Sequence, residues 1–293
     1  VYNNVQVFGI RRGYEGLLCA DFQELGAKDV SDIIHRGGTM LLTARSEEMR
    51  TEEGTKSAAQ VCKVLGLDAL IVIGGDGSLS GAAKLAELGV NVFGIPATID
   101  LDLKCTEYTI GFDTAVNTGM DAVNKIRDTS SSHERCSVVE VMGRDCGYLA
   151  LWCGMSGGAE EVCIPENKLD IDAVIRQIME NRGKGKTHNL ILVAEGTEGN
   201  ARHLSEEIER ITNIESRAMI LGHLQRGGSP TALDRMHASM MGYRAIELFM
   251  SGAKNRVITM KDGKYSDMDI FEAMNAVRPY DESIYDIVKI LAI

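Results

Sequence analysis

Two short acidic loops carry the residues best suited to chemistry. Gly74-Gly75-Asp76-Gly77-Ser78 directly follows the apolar run Ala69-Leu70-Ile71-Val72-Ile73. Thr98-Ile99-Asp100-Leu101-Asp102 follows Val92-Phe93-Gly94-Ile95-Pro96. Each run reads as a buried strand with its loop at the C-terminal end, the edge where open parallel α/β sheets bind ligands. Glycines there let backbone N–H groups approach phosphate oxygens, and the next helix adds its positive N-terminal end. Carboxylates beside such a loop suit Mg²⁺ binding or removal of a proton from an attacking hydroxyl. The pair of loops suggests phosphoryl transfer. Asp76 reads as the metal-facing carboxylate, and Gly77 and Ser78 approach phosphate or ribose through their backbone. Asp100 and Asp102 would share a face on a strand and diverge in a turn. They could share Mg²⁺, or one could stay free as the base that deprotonates the acceptor hydroxyl, a role given to Asp100.

Basic residues recur near the ends of expected strands. Arg45 follows Leu41-Leu42, where it could offset transition-state charge. Arg135, Arg144, Arg217, His223 and Arg226 each lie near a glycine turn or a strand terminus. Five in a net-acidic chain suggest an anionic ligand, because the guanidinium fork matches phosphate oxygens. Glu195 at a strand end could accept a hydrogen bond from a sugar hydroxyl. By composition alone, Lys184, Lys186 and His188 read as a solvated loop face.

The elements that position these residues alternate as strand and helix. Helical spacing runs from Glu52 to Leu65, Leu79 to Leu88, Gly111 to Arg127, Leu169 to Asn181, Leu204 to Ile211 and Asp234 to Met250. Strands are expected at Val5–Ile10, Ala69–Ile73, Val90–Ile95, Cys136–Met142, Asn189–Ala194 and Ala218–Leu221. This is the β-α-β order of a parallel, doubly wound sheet.

The chain has 293 residues, comfortable for two lobes. Its formal charge of −11, from 31 Lys+Arg and 42 Asp+Glu, argues against nucleic acid or an anionic membrane as partner. No apolar stretch is long enough for a membrane span. The seven cysteines are scattered without a C-x-x-C pair, which fits reduced thiols in a cytoplasmic protein and not a zinc site. The chain starts at Val1 with a strand expected almost at once, as in a sequence whose beginning is absent.

Together the motifs resemble bacterial ATP-dependent 6-phosphofructokinases over essentially the whole chain. The most specific are the two acidic loops, Tyr108-Thr109-Ile110-Gly111-Phe112-Asp113-Thr114-Ala115, and Lys125-Ile126-Arg127-Asp128-Thr129. Glu140-Val141-Met142-Gly143-Arg144, Val193-Ala194-Glu195-Gly196 and Gly222-His223-Leu224-Gln225-Arg226-Gly227-Gly228-Ser229-Pro230 complete the set. The resemblance implies transfer of the ATP γ-phosphate to the 1-hydroxyl of fructose 6-phosphate, in glycolysis. Asp76 would hold Mg²⁺, Asp100 would be the base, and Asp102 and Thr98 would assist. Thr98, Met142, Gly143, Arg144, Glu195, His223 and Arg226 would surround the sugar phosphate. Arg135 and Arg217 would belong to the sugar-phosphate site of a neighbouring subunit, so the active unit would be a homo-oligomer, typically a tetramer. Arg45 would stabilise the transferring phosphoryl group. Tyr14, Arg45, Ser46, Gly75, Gly77, Ser78 and Gly81 would line the ATP site. Arg127, Gly158, Glu160, Lys184, Lys186 and His188 resemble residues that bind the effectors ADP or phosphoenolpyruvate.

The implied fold is α/β, with two doubly wound, Rossmann-like lobes, mainly parallel central sheets, and a chain that crosses between lobes more than once. Residues 1–110 and 230–277 would form the ATP lobe, and 111–229 with 278–293 the fructose 6-phosphate lobe. Pyrophosphate-dependent relatives typically carry Asp at the position of Gly77 and Lys at that of Ala97, so these two residues favour ATP. The pyrophosphate reaction, and a non-catalytic phosphosugar-binding subunit, are the alternatives. The family's first strand, its Gly-Gly-Asp loop and most of its first helix would precede Val1. Leu101 stands where the family usually has Asn, and Ala27 and Lys28 differ from the types usual at the effector rim.

Overall fold

A computed structural model describes residues 2–291. In chain order its strands and α-helices are β1 (Phe8–Ile10), α1 (Gly13–Leu18), β2 (Phe22–Glu24), α2 (Glu52–Val64), β3 (Leu70–Gly74), α3 (Asp76–Glu87), β4 (Val92–Pro96), α4 (Phe112–His133), β5 (Cys136–Val141), α5 (Tyr148–Gly157), β6 (Glu161–Cys163), α6 (Ile171–Gly183), β7 (Asn189–Ala194), α7 (Ala201–Thr212), β8 (Ser216–Ile220), α8 (Ala232–Met250), β9 (Arg256–Lys261), β10 (Lys264–Asp269), α9 (Ile270–Met274) and α10 (Glu282–Leu291).

The chain divides into two compact units. Unit 1 holds the residues up to Ala97, then Leu103–Ile110 and Ser229–Val277. Unit 2 holds Thr98–Asp102, Gly111–Gly228 and the chain from Arg278. The expected continuous stretch 1–110 is therefore interrupted. Leu101 buries its side chain, 5 % exposed, in a core cluster of unit 2 with Phe112, Val139, Met142 and Tyr148, and this apolar anchor draws 98–102 out of unit 1. Residues 1, 292 and 293 of the expected lobes lie outside the described residues.

The sheet of unit 1 has the order β10-β9-β4-β3, with β3, β4 and β9 parallel and β10 antiparallel. Gly74 pairs with Pro96, so both acidic loops leave the same edge from neighbouring strands. β4 is buried throughout, but the expectation of a buried strand fails for β3. β3 is at the sheet edge and leaves Ile71 and Ile73 exposed while Leu70 and Val72 enter the core. The first expected strand is shorter than its apolar run and forms an antiparallel ribbon with β2. The β9–β10 hairpin turns on Asp262 and Gly263, both at positive φ, as a tight two-residue hairpin requires.

Unit 2 is built on the all-parallel order β6-β7-β5-β8. The inner strands β5 and β7 are buried at almost every position, as expected for a sheet covered on both faces. One face packs on α4 and α5, the other on α6 and α7. α5 was not expected from periodicity because it is apolar nearly all round; Leu149, Ala150, Leu151, Cys153 and Gly154 are all buried. α4 continues past Arg127 to His133, and α3 begins at Asp76 rather than Leu79.

Candidate active site

In unit 1, Gly75 is the cap residue of α3, and Asp76 occupies the helix's first turn at the C-terminal edge of the sheet. Asp76 and Gly77 are exposed and Ser78 is half-buried. The Tyr14 hydroxyl donates to the Ser78 carbonyl at 2.5 Å, and burial pushes the phenol above its ordinary pKa. A Cβ at Gly81 would lie 2.7 Å from the Tyr14 ring, so that glycine lets α3 approach α1. Tyr14, Ser78 and Gly81 thus come together. Gly77 has nothing within 4 Å of a built Cβ, so the protein itself does not require glycine there. Arg45 departs from the expectation of a strand-end residue. Leu41 and Leu42 form no strand, and Arg45 is exposed in irregular chain. Leu42 is at φ 61°, which breaks the extended run. Ser46 Oγ accepts from the Met49 N–H at 3.4 Å, just before a short 3₁₀ turn over Glu48–Arg50.

In unit 2 the C-terminal edge collects the sugar-site candidates. Glu195 follows β7, Met142, Gly143 and Arg144 follow β5, and the 3₁₀ turn Gly222–Arg226 follows β8. Glu195 Oε1 accepts from the N–H groups of Arg144 at 2.8 Å and Gly143 at 3.3 Å. Gly143 is at φ 143°, and a Cβ there would sit 2.4 Å from the Cys146 carbonyl oxygen, so the turn requires glycine. His223 and Arg226 are exposed in the 3₁₀ turn. Gln225 between them is buried; its Oε1 accepts from the Met142 N–H at 2.8 Å and its Nε2 donates to the Ala115 carbonyl at 3.5 Å. Sequence reasoning gave Gln225 no role, although it lies inside a recognised motif. It ties the turn bearing His223 and Arg226 to the end of β5.

Asp100 and Asp102 lie in a turn, which settles the alternative left open by their spacing. Leu101 between them is left-handed at φ 54°, a conformation that costs a non-glycine residue roughly 1–2 kcal/mol. Thr98 Oγ1 accepts from the Asp100 N–H at 3.2 Å and lies 3.5 Å from Asp100 Oδ2. Arg144 Nη1 is 3.5 Å from Asp102 Oδ2. Asp100 is 2 % exposed, and Oδ1 of both Asp100 and Asp102 is buried with no hydrogen-bond partner among the described residues. Burial pushes the Asp100 carboxyl above its ordinary pKa, and Asp102 and Glu195 add to the rise, while Arg226 and Arg144 oppose it. A buried carboxylate held among charges with an uncommitted oxygen is the environment of a proton acceptor.

Two groups of predicted residues lie at the other edge of this sheet. Arg135 precedes β5 and Arg217 lies near the start of β8, and Glu215 binds both, through Oε2 to Arg135 Nε and Oε1 to Arg217 Nη2, each at 2.6 Å. The six residues of β5 separate Arg135 from Met142, about 23 Å at about 3.3 Å per residue step. Arg135 and Arg217 are thus not brought to the edge that holds Arg144, Glu195 and Arg226. The effector candidates also gather away from it. Lys186 Nζ is 2.7 Å from Glu160 Oε1, and Arg127 donates to the carbonyls of Gly157 and, at 2.9 Å, Gly158. Lys184 caps the end of α6 and is exposed, and His188 is half-buried just before β7.

Among the described residues no cluster of three or more His, Cys, Asp or Glu side chains could hold a metal alone. Mg²⁺ bound through one or two carboxylates and substrate phosphates needs no such cluster. Exposed Asp76 fits that mode of binding.

The sequence model of the phosphofructokinase family matches residues 1–249. The ATP-dependent 6-phosphofructokinase of Clostridium botulinum (strain Hall) is 55 % identical over 288 residues, covering 98 % of this chain and 90 % of the relative. The structure of phosphofructokinase from Saccharomyces cerevisiae superposes with a TM-score of 0.85 at 32 % identity, over 92 % of this chain and 41 % of the yeast chain. The pyrophosphate-dependent phosphofructokinase from Marinobacter aquaeolei gives a TM-score of 0.82 at 19 % identity, over 98 % of this chain and 83 % of that one. That last likeness speaks to fold alone.

Proposed function

The chain belongs to the phosphofructokinase family, and from that premise we propose that it transfers the γ-phosphate of ATP to the 1-hydroxyl of fructose 6-phosphate. The carrying observation is Asp100, buried with a free carboxylate oxygen in the turn that also presents Asp102. Asp100 takes the proton of the 1-hydroxyl as its oxygen attacks the γ-phosphorus. The bond from that phosphorus to the β-bridging oxygen breaks, and ADP and fructose 1,6-bisphosphate leave. The raised pKa of Asp100 suits it to accept the proton, because a weakly basic carboxylate would take it reluctantly.

Glu195 holds the Arg144 turn and accepts from a sugar hydroxyl. Arg144, His223 and Arg226 hold the sugar phosphate, with Thr98, Met142 and Gly143 around it. Asp76, Gly75, Gly77, Ser78 and Gly81 hold the nucleotide with Tyr14 and Ser46, and Arg45 offsets charge on the moving phosphoryl group. Mg²⁺, held by Asp76, would neutralise charge on the donor phosphates, and Asp102 assists Asp100. ATP is the donor because the open space at Gly77 leaves room for the nucleotide and Ala97 adds no charge. The identity to an ATP-dependent relative supports the same choice.

The remoteness of Arg135 and Arg217 from their own chain's Arg144 and Glu195 supports a shared site, in which they complete the sugar-phosphate site of another copy. A homotetramer is the expected assembly. Arg127, Gly158, Glu160, Lys184, Lys186 and His188 form the proposed effector site for ADP or phosphoenolpyruvate. Seven free cysteines suit a reducing cytoplasm, and no helix among the described residues is long and apolar enough to cross a membrane.

Purified protein given fructose 6-phosphate, Mg²⁺ and either ATP or pyrophosphate tests the proposal. Fructose 1,6-bisphosphate formed with ATP supports it. Faster turnover with pyrophosphate overturns the choice of donor, and no bisphosphate with either donor overturns the activity.

A further inference from the structure

We propose that Arg278 is a positioning residue for phosphoryl transfer, whose guanidinium fixes the main-chain turn carrying Asp100 and Asp102. The inference rests on the reading of Asp100 as proton acceptor. Arg278 opens the last segment of unit 2, at the point where the chain leaves unit 1. Pro279 follows it and favours an extended backbone at Arg278. Its Nη2 donates to the Leu101 carbonyl at 3.3 Å. Its guanidinium carbon lies 5.2 Å from the centroid of the Tyr148 ring.

One guanidinium thus joins the turn to the Tyr148 ring. Leu101 is left-handed and drives its side chain into the cluster that also contains Tyr148. The apolar side chain fixes where residue 101 sits but leaves rotation of the next peptide open. That rotation sets the direction of Asp102, and with it the spacing of the two carboxylates. A donor on the Leu101 carbonyl stops it. The planar guanidinium suits the task, since it can lie over an aromatic ring while donating in its own plane, which an ammonium cannot reproduce. A hydrogen bond to a main-chain oxygen is also blind to the side chain at 101, so the turn stays fastened with leucine there. Arg278 touches neither reacting atom; it acts through the geometry of Asp100 and Asp102.

Arg278→Ala and Arg278→Lys in the full chain, assayed with ATP and fructose 6-phosphate, test this. Arg278→Ala is expected to lower kcat on the order of 10- to 100-fold, as expected for a reacting group displaced by a fraction of an ångström to about one. KM for ATP should stay within about twofold, because no nucleotide contact is lost. Millimolar guanidinium, far below denaturing concentrations, should restore part of the lost kcat in Arg278→Ala and none in Arg278→Lys. A kcat within about twofold of wild type in Arg278→Ala overturns the proposal. So does a loss that guanidinium does not relieve and that follows the fraction of folded protein, which is the mark of a merely structural role. If Arg278→Ala does not fold, Arg278→Lys decides: reduced kcat at unchanged Tm supports the proposal, and unchanged kcat overturns it. Asp100→Asn run in parallel separates the two readings. Activity in that variant removes the premise, whereas its inactivity beside a normal Arg278→Ala removes only the role of Arg278.

Discussion

Glu195 holds the backbone of Arg144: its Oε1 accepts the Arg144 N–H at 2.8 Å across the ends of two paired strands. The register places Ala194 beside Val141, so the residues that follow emerge side by side. Arg144 is at φ 53°, so its backbone does not rest in a broad energy well. The carboxylate supplies the constraint, and the same turn aims the guanidinium at Asp102.

Glu195→Ala should therefore act on the sugar-phosphate site and spare the nucleotide. Two main-chain donors lose a charged acceptor worth about 1.5–3 kcal/mol. KM for fructose 6-phosphate is expected to rise at least tenfold, with Glu195→Gln intermediate because it keeps one oxygen. Steady-state kinetics with each substrate varied in turn checks this. An equal rise in KM for ATP would remove the assignment.

Asp100 links activity to stability. Its folded-state pKa is raised, chiefly by burial and then by Asp102. A carboxyl raised in this way favours the folded state while protonated, and that contribution is lost as pH rises through the folded pKa. Asp100→Asn removes the penalty of the buried charge. The variant should melt above wild type near pH 7, and the gap should close as pH falls toward the ordinary carboxylate range. Thermal melts across that pH span measure it. A variant less stable than wild type at neutral pH would contradict the sign.

Gly77 tests the choice of donor without disturbing the fold. Nothing lies within 4 Å of a Cβ built there, whereas one at Gly81 would strike Tyr14 at 2.7 Å. Gly77→Asp should keep the wild-type Tm and lose ATP-dependent turnover by tenfold or more, on the order of 1.4 kcal/mol of binding. Gly81→Ala should lower Tm. If Gly77→Asp uses ATP normally, the nucleotide does not pass over this residue.

Arg135 and Arg217 test the shared site. Asp100→Ser and Arg217→Ala proteins should each be inactive alone. Mixed under conditions of proven subunit exchange, they should regain part of the activity, because some interfaces then carry a complete set. Absence of any recovery would mean self-contained sites.

Much of this arrangement was legible in the sequence because parallel strands announce themselves as apolar runs and their loops must leave at one edge. The loops at Asp76, Glu195 and His223 were placed that way. Two features were not legible. The excursion of 98–102 into unit 2 depends on where the Leu101 side chain finds a core, which no local pattern encodes. The roles of Gln225 and Arg278 are contacts made across long sequence separations. The separation of Arg135 and Arg217 from Arg144 was legible, since the first two lie at the starts of parallel strands and Arg144 follows one. The β9–β10 hairpin did carry a local signal, the Asp262-Gly263 turn, between strands whose alternation is weak.

The most direct measurement is kcat of Asp100→Ser with ATP and fructose 6-phosphate, beside its affinity for the sugar phosphate. A proton acceptor contributes on the order of 100- to 10,000-fold to the chemical step. A fall in kcat of that size, with fructose 6-phosphate binding changed only a fewfold, is the expected result. Turnover close to wild type would contradict the assignment of Asp100.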